Sequence, residues 1–381
     1  MSDWRVTLTE LQLPESDVEA VMATLESGWL TMGPRTQDLE AAFAEHVGAR
    51  HALAVSSGTA ALHLACLAAG VGDGDEVIAP ALSFVADAHA GRCAGGSTVL
   101  ADCVSPAEPL LDPADVERRI TDRTKAVIAV HMFGYPADTD GLGELCDTRG
   151  IALIEDCCES DGGRLRDGSF AGTAGICGCF SFFAKTQLGV GEGGILVTDD
   201  DGFAERVRSL RSHAMTSVTW DRHRGHAETY DVTDLGFNYR IDEPRATLAL
   251  ARLGRLDDAL ARLREVAGSY REGLARVEGV EVPFPAEWVE LAGHFAFPVL
   301  VADLDTRNRV RETMHANGVQ TTFYPALTQL TEYQGAAGDG GAPVAEEVAD
   351  RHLALPLSPS LGDEEIGIVV EEFRAAVTAK G

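Results

Sequence analysis

Between residues 51 and 200 the chain alternates short apolar runs with stretches of helical periodicity. The runs Ala52–Val55, Glu76–Ala79, Thr98–Ala101, Ala126–Val130, Ala152–Ile154, Cys179–Phe182 and Ile195–Thr198 have the length and side-chain type of buried strands. Helical patterns near Ala60–Ala69, Phe84–Cys93, Asp112–Ile120 and Asp140–Arg149 lie between them. Strands separated by helix-length connections cannot pair as hairpins. The pattern therefore predicts an α/β fold, a mostly parallel central sheet with helices on both faces. Two further helices, Glu15–Glu26 and Thr36–Val47, precede the sheet and flank a loop holding Gly28, Trp29, Thr31 and Gly33-Pro34.

Beyond the sheet, Asp201–Met215 reads as a helix and Thr216–Asp234 as a long polar loop. Ile241–Arg276 reads as one long amphipathic helical region. The remainder predicts a small C-terminal α+β domain: strand-like Gly293–Val301, then helices near Thr306–Asn317, Ala342–Arg351 and Glu364–Ala379. Gly335–Pro343, GAAGDGGAP, reads as a flexible loop. The expected division is a large cofactor-binding domain over 1–250 and a bridging helix plus small domain over 251–381.

Composition narrows the partners. A net charge of −29 argues against nucleic acid and anionic membrane. No apolar run reaches the roughly 18 residues of a membrane span. The start, MSDWRVTLTELQLPE, lacks the basic and apolar regions of a signal peptide, so a cytoplasmic protein is expected. The eight cysteines show neither CxxC pairs nor histidines at ligand spacing, so no metal site is expected. Small buried side chains are the plain reading of Cys157, Cys158, Cys177 and Cys179, with a redox pair among them as the alternative.

Three stretches carry chemistry. Cys179–Asp200, CFSFFAKTQLGVGEGGILVTDD, sets a lysine, Lys185, between an apolar run and a glycine-dense turn. An amine at such a strand end can be desolvated and can form a Schiff base. Ser56-Ser57-Gly58-Thr59-Ala60-Ala61-Leu62 follows a strand and opens a helix, whose free N–H groups suit a phosphate. Ile151–Asp156 is a buried strand ending in a carboxylate, at the edge where open α/β sheets bind ligands. Phosphate cradle, strand-end carboxylate and lysine together are the ligand set of a pyridoxal 5'-phosphate (PLP) enzyme.

On these motifs the chain resembles the DegT/StrS family of PLP-dependent, fold-type-I sugar aminotransferases. Ser27-Gly28-Trp29-Leu30-Thr31, Pro80–Ala86, GEGG at Gly191–Gly194, Gly236–Arg240 and Phe323-Tyr324-Pro325 extend the resemblance nearly end to end. It implies a keto-sugar substrate, nucleotide-linked, aminated with glutamate or glutamine as donor, in a secondary-metabolite or cell-surface sugar pathway. It implies cofactor contacts from Gly58, Thr59 and Ser181 to the phosphate, from Phe84 to the ring face and from Asp156 to the pyridine nitrogen. It implies substrate contacts from Trp29, Thr31 and Tyr324. Asn238 matches an asparagine supplied by the neighbouring subunit, which implies a homodimer with shared active sites.

Two departures stand out. Glu159 occupies a position, beside the cofactor's phenolic oxygen, where the family usually has glutamine or histidine, and a glutamate would repel a phenolate unless one is protonated. Counting the family's five-residue spacing from Ser181 reaches Thr186, with Lys185 one residue early. Only Lys125, Lys185 and Lys380 are lysines, against 28 arginines. Either the loop is shifted and Lys185 serves as the catalytic amine, with Asp156 and Glu159 beside it, or the Schiff base is lost. In the second case the chain would bind PLP or its amine form, pyridoxamine 5'-phosphate (PMP), non-covalently. It would then work like a dehydratase, or serve as a non-catalytic partner subunit.

Overall fold

The computed structural model describes residues 4–217 and 229–379, so much of the Thr216–Asp234 stretch and Lys380 lie outside the described residues. The strands are β1 (His51–Val55), β2 (Glu76–Pro80), β3 (Ser97–Ala101), β4 (Cys103–Ser105), β5 (Glu108–Leu111), β6 (Thr124–Val130), β7 (Ala152–Asp156), β8 (Cys177–Ser181), β9 (Gly194–Thr198), β10 (Phe297–Leu300) and β11 (His352–Leu355). Seven of them form the central sheet, in the order β1-β9-β8-β7-β6-β2-β3.

The sheet is parallel from β3 to β8, as the alternation predicts. Strand β9 runs antiparallel to both β8 and β1. The reason is local. The connection from Phe182 to Gly193 contains no helix to carry the chain back across the sheet, so β9 returns beside β8 in the opposite direction. Lys185 sits in that return.

The helices are α1 (Glu15–Glu26), α2 (Pro34–Val47), α3 (Gly58–Ala68), α4 (Val85–Cys93), α5 (Pro113–Arg119), α6 (Thr139–Arg149), α7 (Asp201–Leu210), α8 (Glu243–Leu253), α9 (Leu256–Leu274), α10 (Leu304–Ala316), α11 (Pro343–Arg351) and α12 (Asp363–Thr378). Strand alternation builds two cores. Leu53 and Val55 of β1 join the core under α3 and α7, while Ala52 and Ala54 join the core under α2, α8 and α9. A short antiparallel sheet, β10 with β11, lies in the C-terminal part, where α10 packs on α12.

Several local readings are corrected. The helix expected to Met215 ends at Leu210, because Ser212 and Met215 form bridges with Asn238 and Val232. The long helix expected over Ile241–Arg276 breaks at Gly254-Arg255, which lets both Leu253 and Leu256 reach the core. The Gly335–Pro343 stretch is held in place: the Arg119 guanidinium donates to the carbonyls of Ala337 and Gly341, and Ala337 and Ala342 are buried. Strand β11 follows α11 with no glycine or proline between them, so nothing in the sequence marked it.

Candidate active site

The turn from β1 into α3 forms the first wall. Ser57 caps the helix, its hydroxyl accepting from the Ala60 amide at 3.1 Å. The amides of Gly58 and Thr59 have no protein acceptor among the described residues. Glycine is required by packing: a Cβ on Gly58 would lie 2.6 Å from Cys158 Sγ and 3.0 Å from Ser181 Cβ. The backs of these turns are equally close, since a Cβ on Gly194 would lie 2.6 Å from the Ser57 carbonyl carbon. Ser181 Oγ accepts from the Phe183 amide at 3.2 Å, leaving its own hydrogen to donate. The result is an anion cradle of amides and a hydroxyl, placed at the positive end of a helix.

The C-terminal end of β7 forms the second wall, and its pleat separates two acids. Glu155 turns away and is fully buried; its carboxylate accepts from the amides of Gly172, Ala174 and Gly175 at 2.7–2.9 Å. His131 Nδ1 accepts from the Ala137 amide at 3.1 Å, so Nε2 carries the hydrogen and donates to Glu155 at 3.0 Å. Burial alone would raise the Glu155 carboxyl, but His131 and these amides outweigh it and hold it low. Cys157 Sγ lies within 4.8 Å of the His131 and Glu155 side-chain donor atoms, which are already hydrogen-bonded to each other and to backbone amides.

Asp156 faces the cleft, 5% exposed, with one carboxylate oxygen accepting from the Cys158 amide at 2.7 Å. Glu159 follows, its Oε1 accepting from the Tyr324 hydroxyl at 2.8 Å and its Oε2 from the Phe133 amide at 2.6 Å. Phe133 holds a left-handed φ of 58° to aim that amide. Burial pushes the Glu159 carboxyl up to about 7, against the pull of the two hydrogen bonds, with the Asp156 charge adding to the rise. The same burial pushes the Tyr324 hydroxyl well up, so it stays a donor.

The lysine segment is a turn. Thr186 N donates to Phe183 O at 2.8 Å and Gly189 N to Thr186 O at 3.0 Å. The rule that adjacent strand residues point to opposite faces therefore does not separate Lys185 from Thr186, and both line the cleft. The Thr186 hydroxyl is engaged with the carbonyls of Ser181 and Phe183. The Lys185 ammonium has no hydrogen bond or ion pair among the described residues and is exposed. Asp161, fully buried, accepts from the Leu188 amide at 3.2 Å and ties the turn down; burial pushes its carboxyl up to about 8.

These walls enclose a cavity of about 480 Å³. Gly58, Thr59, Ser181 and Asp156 line it, and so do Phe84, Glu159, Lys185 and Tyr324. Trp29 lines a separate groove between α1 and α2. Thr31 is half-buried, and Asn238 is exposed beside Ser212; neither lines this chain's own cavity. Thr328 donates to Glu346. The structure adds Ser83, Asp87 and Cys158 to the lining. A carboxylate among alanines, Ala86-Asp87-Ala88, was the available signal for the second of these. Burial pushes the thiols of Cys157, Cys158 and Cys179 far up, and every cysteine is free, which leaves them as protonated fillers.

Fold and cleft together place the chain among the α/β aminotransferases. It belongs to the DegT/DnrJ/EryC1/StrS aminotransferase family, matching it over residues 12–374. It is 34% identical over 374 residues to the spore coat polysaccharide biosynthesis protein SpsC of Bacillus subtilis, covering 95% of each chain. It is 35% identical over 378 residues to the dTDP-3-amino-3,4,6-trideoxy-alpha-D-glucose transaminase of Streptomyces venezuelae, covering 98% of this chain and 94% of that one. Among solved structures, the aminotransferase TlmJ from Streptoalloteichus hindustanus matches with TM-score 0.89 at 34% identity, over 99% of both chains. S. venezuelae DesV, solved in complex with a ketimine intermediate, matches with TM-score 0.89 at 32% identity, over 99% of this chain and 100% of that one.

Proposed function

We propose that this protein is a PLP-dependent sugar aminotransferase, which converts a nucleotide-linked keto-sugar to an amino sugar with glutamate or glutamine as donor. The observation that carries the reading is the meeting of unfilled helix amides, a buried strand-end carboxylate and a lysine on one cavity. The transaminase and aminotransferase relatives support the substrate class. The direct test incubates the protein with PLP, glutamate and a dTDP-keto-sugar and follows amino-sugar formation by mass spectrometry. A sample that binds PLP yet aminates no nucleotide-linked keto-sugar would sink the substrate assignment.

The residues present fit the cofactor. The Gly58 and Thr59 amides and the Ser181 hydroxyl would hold its phosphate, Phe84 would cover its ring, and Asp156 would keep the pyridine nitrogen protonated. Bound there, PLP supplies an electron sink for the carbon that carries the transferred nitrogen. The Lys185 amine would be the group that holds it covalently and the base available to move a proton. With no ion pair or hydrogen bond among the described residues, this amine is free for both tasks. Glu159 and the Tyr324 hydroxyl form a proton-holding pair on the cavity wall.

That pair predicts a pH dependence. The Glu159 carboxyl rises from 4.5 unfolded to about 7 folded. Between those two values the unfolded chain releases the proton that the folded chain keeps, which favours unfolding. Relative to Glu159→Gln, the wild type should therefore lose about 3 kcal/mol of stability as pH rises from 4.5 to about 7, and little beyond. Melting curves of both proteins across that window check it; parallel curves would count against a protonated Glu159.

We further propose a homodimer with shared sites. Phe84, 58% exposed at the cavity, Phe183, and Val18, Met22 and Leu25 of α1 form apolar surface that a second copy would cover. The same copy would bring Asn238, Trp29 and Thr31 to the cleft. Lys185→Ala and Asn238→Ala subunits, each inactive alone, should regain up to about a quarter of wild-type activity when mixed, because one site of each mixed dimer is then intact. No recovery after confirmed subunit exchange would argue against sharing. A cytoplasmic location fits the free cysteines, and no helix among the described residues is long and apolar enough to cross a membrane.

A further inference from the structure

Of the cavity's acids, the reading above leaves Asp87 and the exposed Glu192 unused, and Asp87 is the buried one. It lies in the first turn of α4, 1% exposed, and lines the cleft with Asp156. The Ser83 hydroxyl donates to its Oδ2. Its Oδ1 is buried and finds no donor. The Asp156 carboxyl lines the same cavity beside it. No ion pair reaches either acid among the described residues.

Two ionised carboxylates are acceptors only and cannot bond to each other. For the two to bond, one of them must carry a proton. The surroundings decide which residue carries it. Asp156 has the Cys158 amide to stabilise its charge. Asp87 is the more deeply buried, and burial pushes its carboxyl well up, with the charges of Asp156 and Glu159 adding to the rise. The other titratable groups facing it, the Cys66 thiol on α3 and the Cys158 thiol, are both held protonated by burial. None of them supplies a compensating positive charge.

We propose that Asp87 is a positioning residue for Asp156: a neutral carboxylic acid that donates its proton in a hydrogen bond to the Asp156 carboxylate, fixing its orientation. The proton sharing belongs to the cofactor-free protein. Its consequence, an Asp156 carboxylate held in place to face the cofactor's pyridine nitrogen, rests on the PLP reading above.

Asp87→Asn and Asp87→Ala separate the roles. An asparagine amide donates to Asp156 and accepts from Ser83, so it imitates the protonated acid at every pH; alanine removes the donor. In cofactor-free protein at neutral pH, infrared difference spectra should show a protonated-carboxyl band in the wild type that Asp87→Asn lacks. The folded value of Asp87 lies above 3.8, so its stabilising protonated form is lost as pH rises. The wild type should therefore lose thermal stability relative to Asp87→Asn on moving from pH 4 towards alkaline conditions. In fluorescence titrations with PLP, Asp87→Asn should bind as the wild type does, and Asp87→Ala about tenfold or more weakly. Identical acid bands and parallel melting curves for the wild type and Asp87→Asn would overturn the proposal. So would unchanged PLP affinity in Asp87→Ala. If the wild type itself binds no PLP, the cofactor reading fails, and the spectra and melting curves decide the Asp87 assignment by themselves.

Discussion

Lys185→Ala should leave a folded protein that no longer captures PLP covalently. The visible absorption of a lysine-bound cofactor should vanish, and the half-reaction with glutamate should slow by about 10³-fold, within the range of a lost general base. Lys125 cannot substitute. Lys125 opens β6, whose far end, Val130, lines the cavity; five residues of strand put it roughly 16 Å away. Lys380 lies outside the described residues. Thr186→Ala is the useful companion. Its hydroxyl bonds to two backbone carbonyls of the turn, so that variant should loosen the loop yet keep the absorption. A Lys185→Ala protein with the visible band intact would remove Lys185 from the mechanism altogether.

Asp156→Asn carries the second large effect. Asparagine can still accept from the Cys158 amide, so the end of β7 should hold its shape. What it cannot do is balance a positive pyridinium. Turnover is expected to drop by about 10²–10³-fold, as when a single preorganised electrostatic partner is removed. Thermal stability of the cofactor-free variant should be equal or higher, since a charge beside the buried Asp87 is gone. Steady-state kinetics and melting curves on one preparation separate the two readouts. A variant as active as the wild type would deny Asp156 its place at the ring.

The cradle was legible because it is local. Ser57, Gly58 and Thr59 fall within three residues at a strand-to-helix turn, where helix geometry alone leaves amides unpaired. Asp156 was legible for a similar reason: a buried strand that ends in a carboxylate aims it at the sheet's ligand edge. Glu159 was legible only as a problem. Its answer comes from Tyr324, 165 residues away, and from the left-handed Phe133, neither of which sequence spacing could place beside it. The Lys185 question was posed on an extended strand, and the turn from Phe183 to Gly189 changed its terms. Asp87 was missed because a lone acid in a helix reads as a solvated one until Asp156 is set against it.

From its own letters the chain determined the α/β alternation, the anion cradle and the strand-end carboxylate, because each depends on backbone hydrogen bonding and side-chain periodicity over a few residues. Tertiary structure alone decided the antiparallel return of β9, the turn that carries Lys185, and which acids share the cavity. Those follow from burial and from contacts between segments far apart in the chain, and a carboxyl's charge depends on the neighbours that folding brings to it.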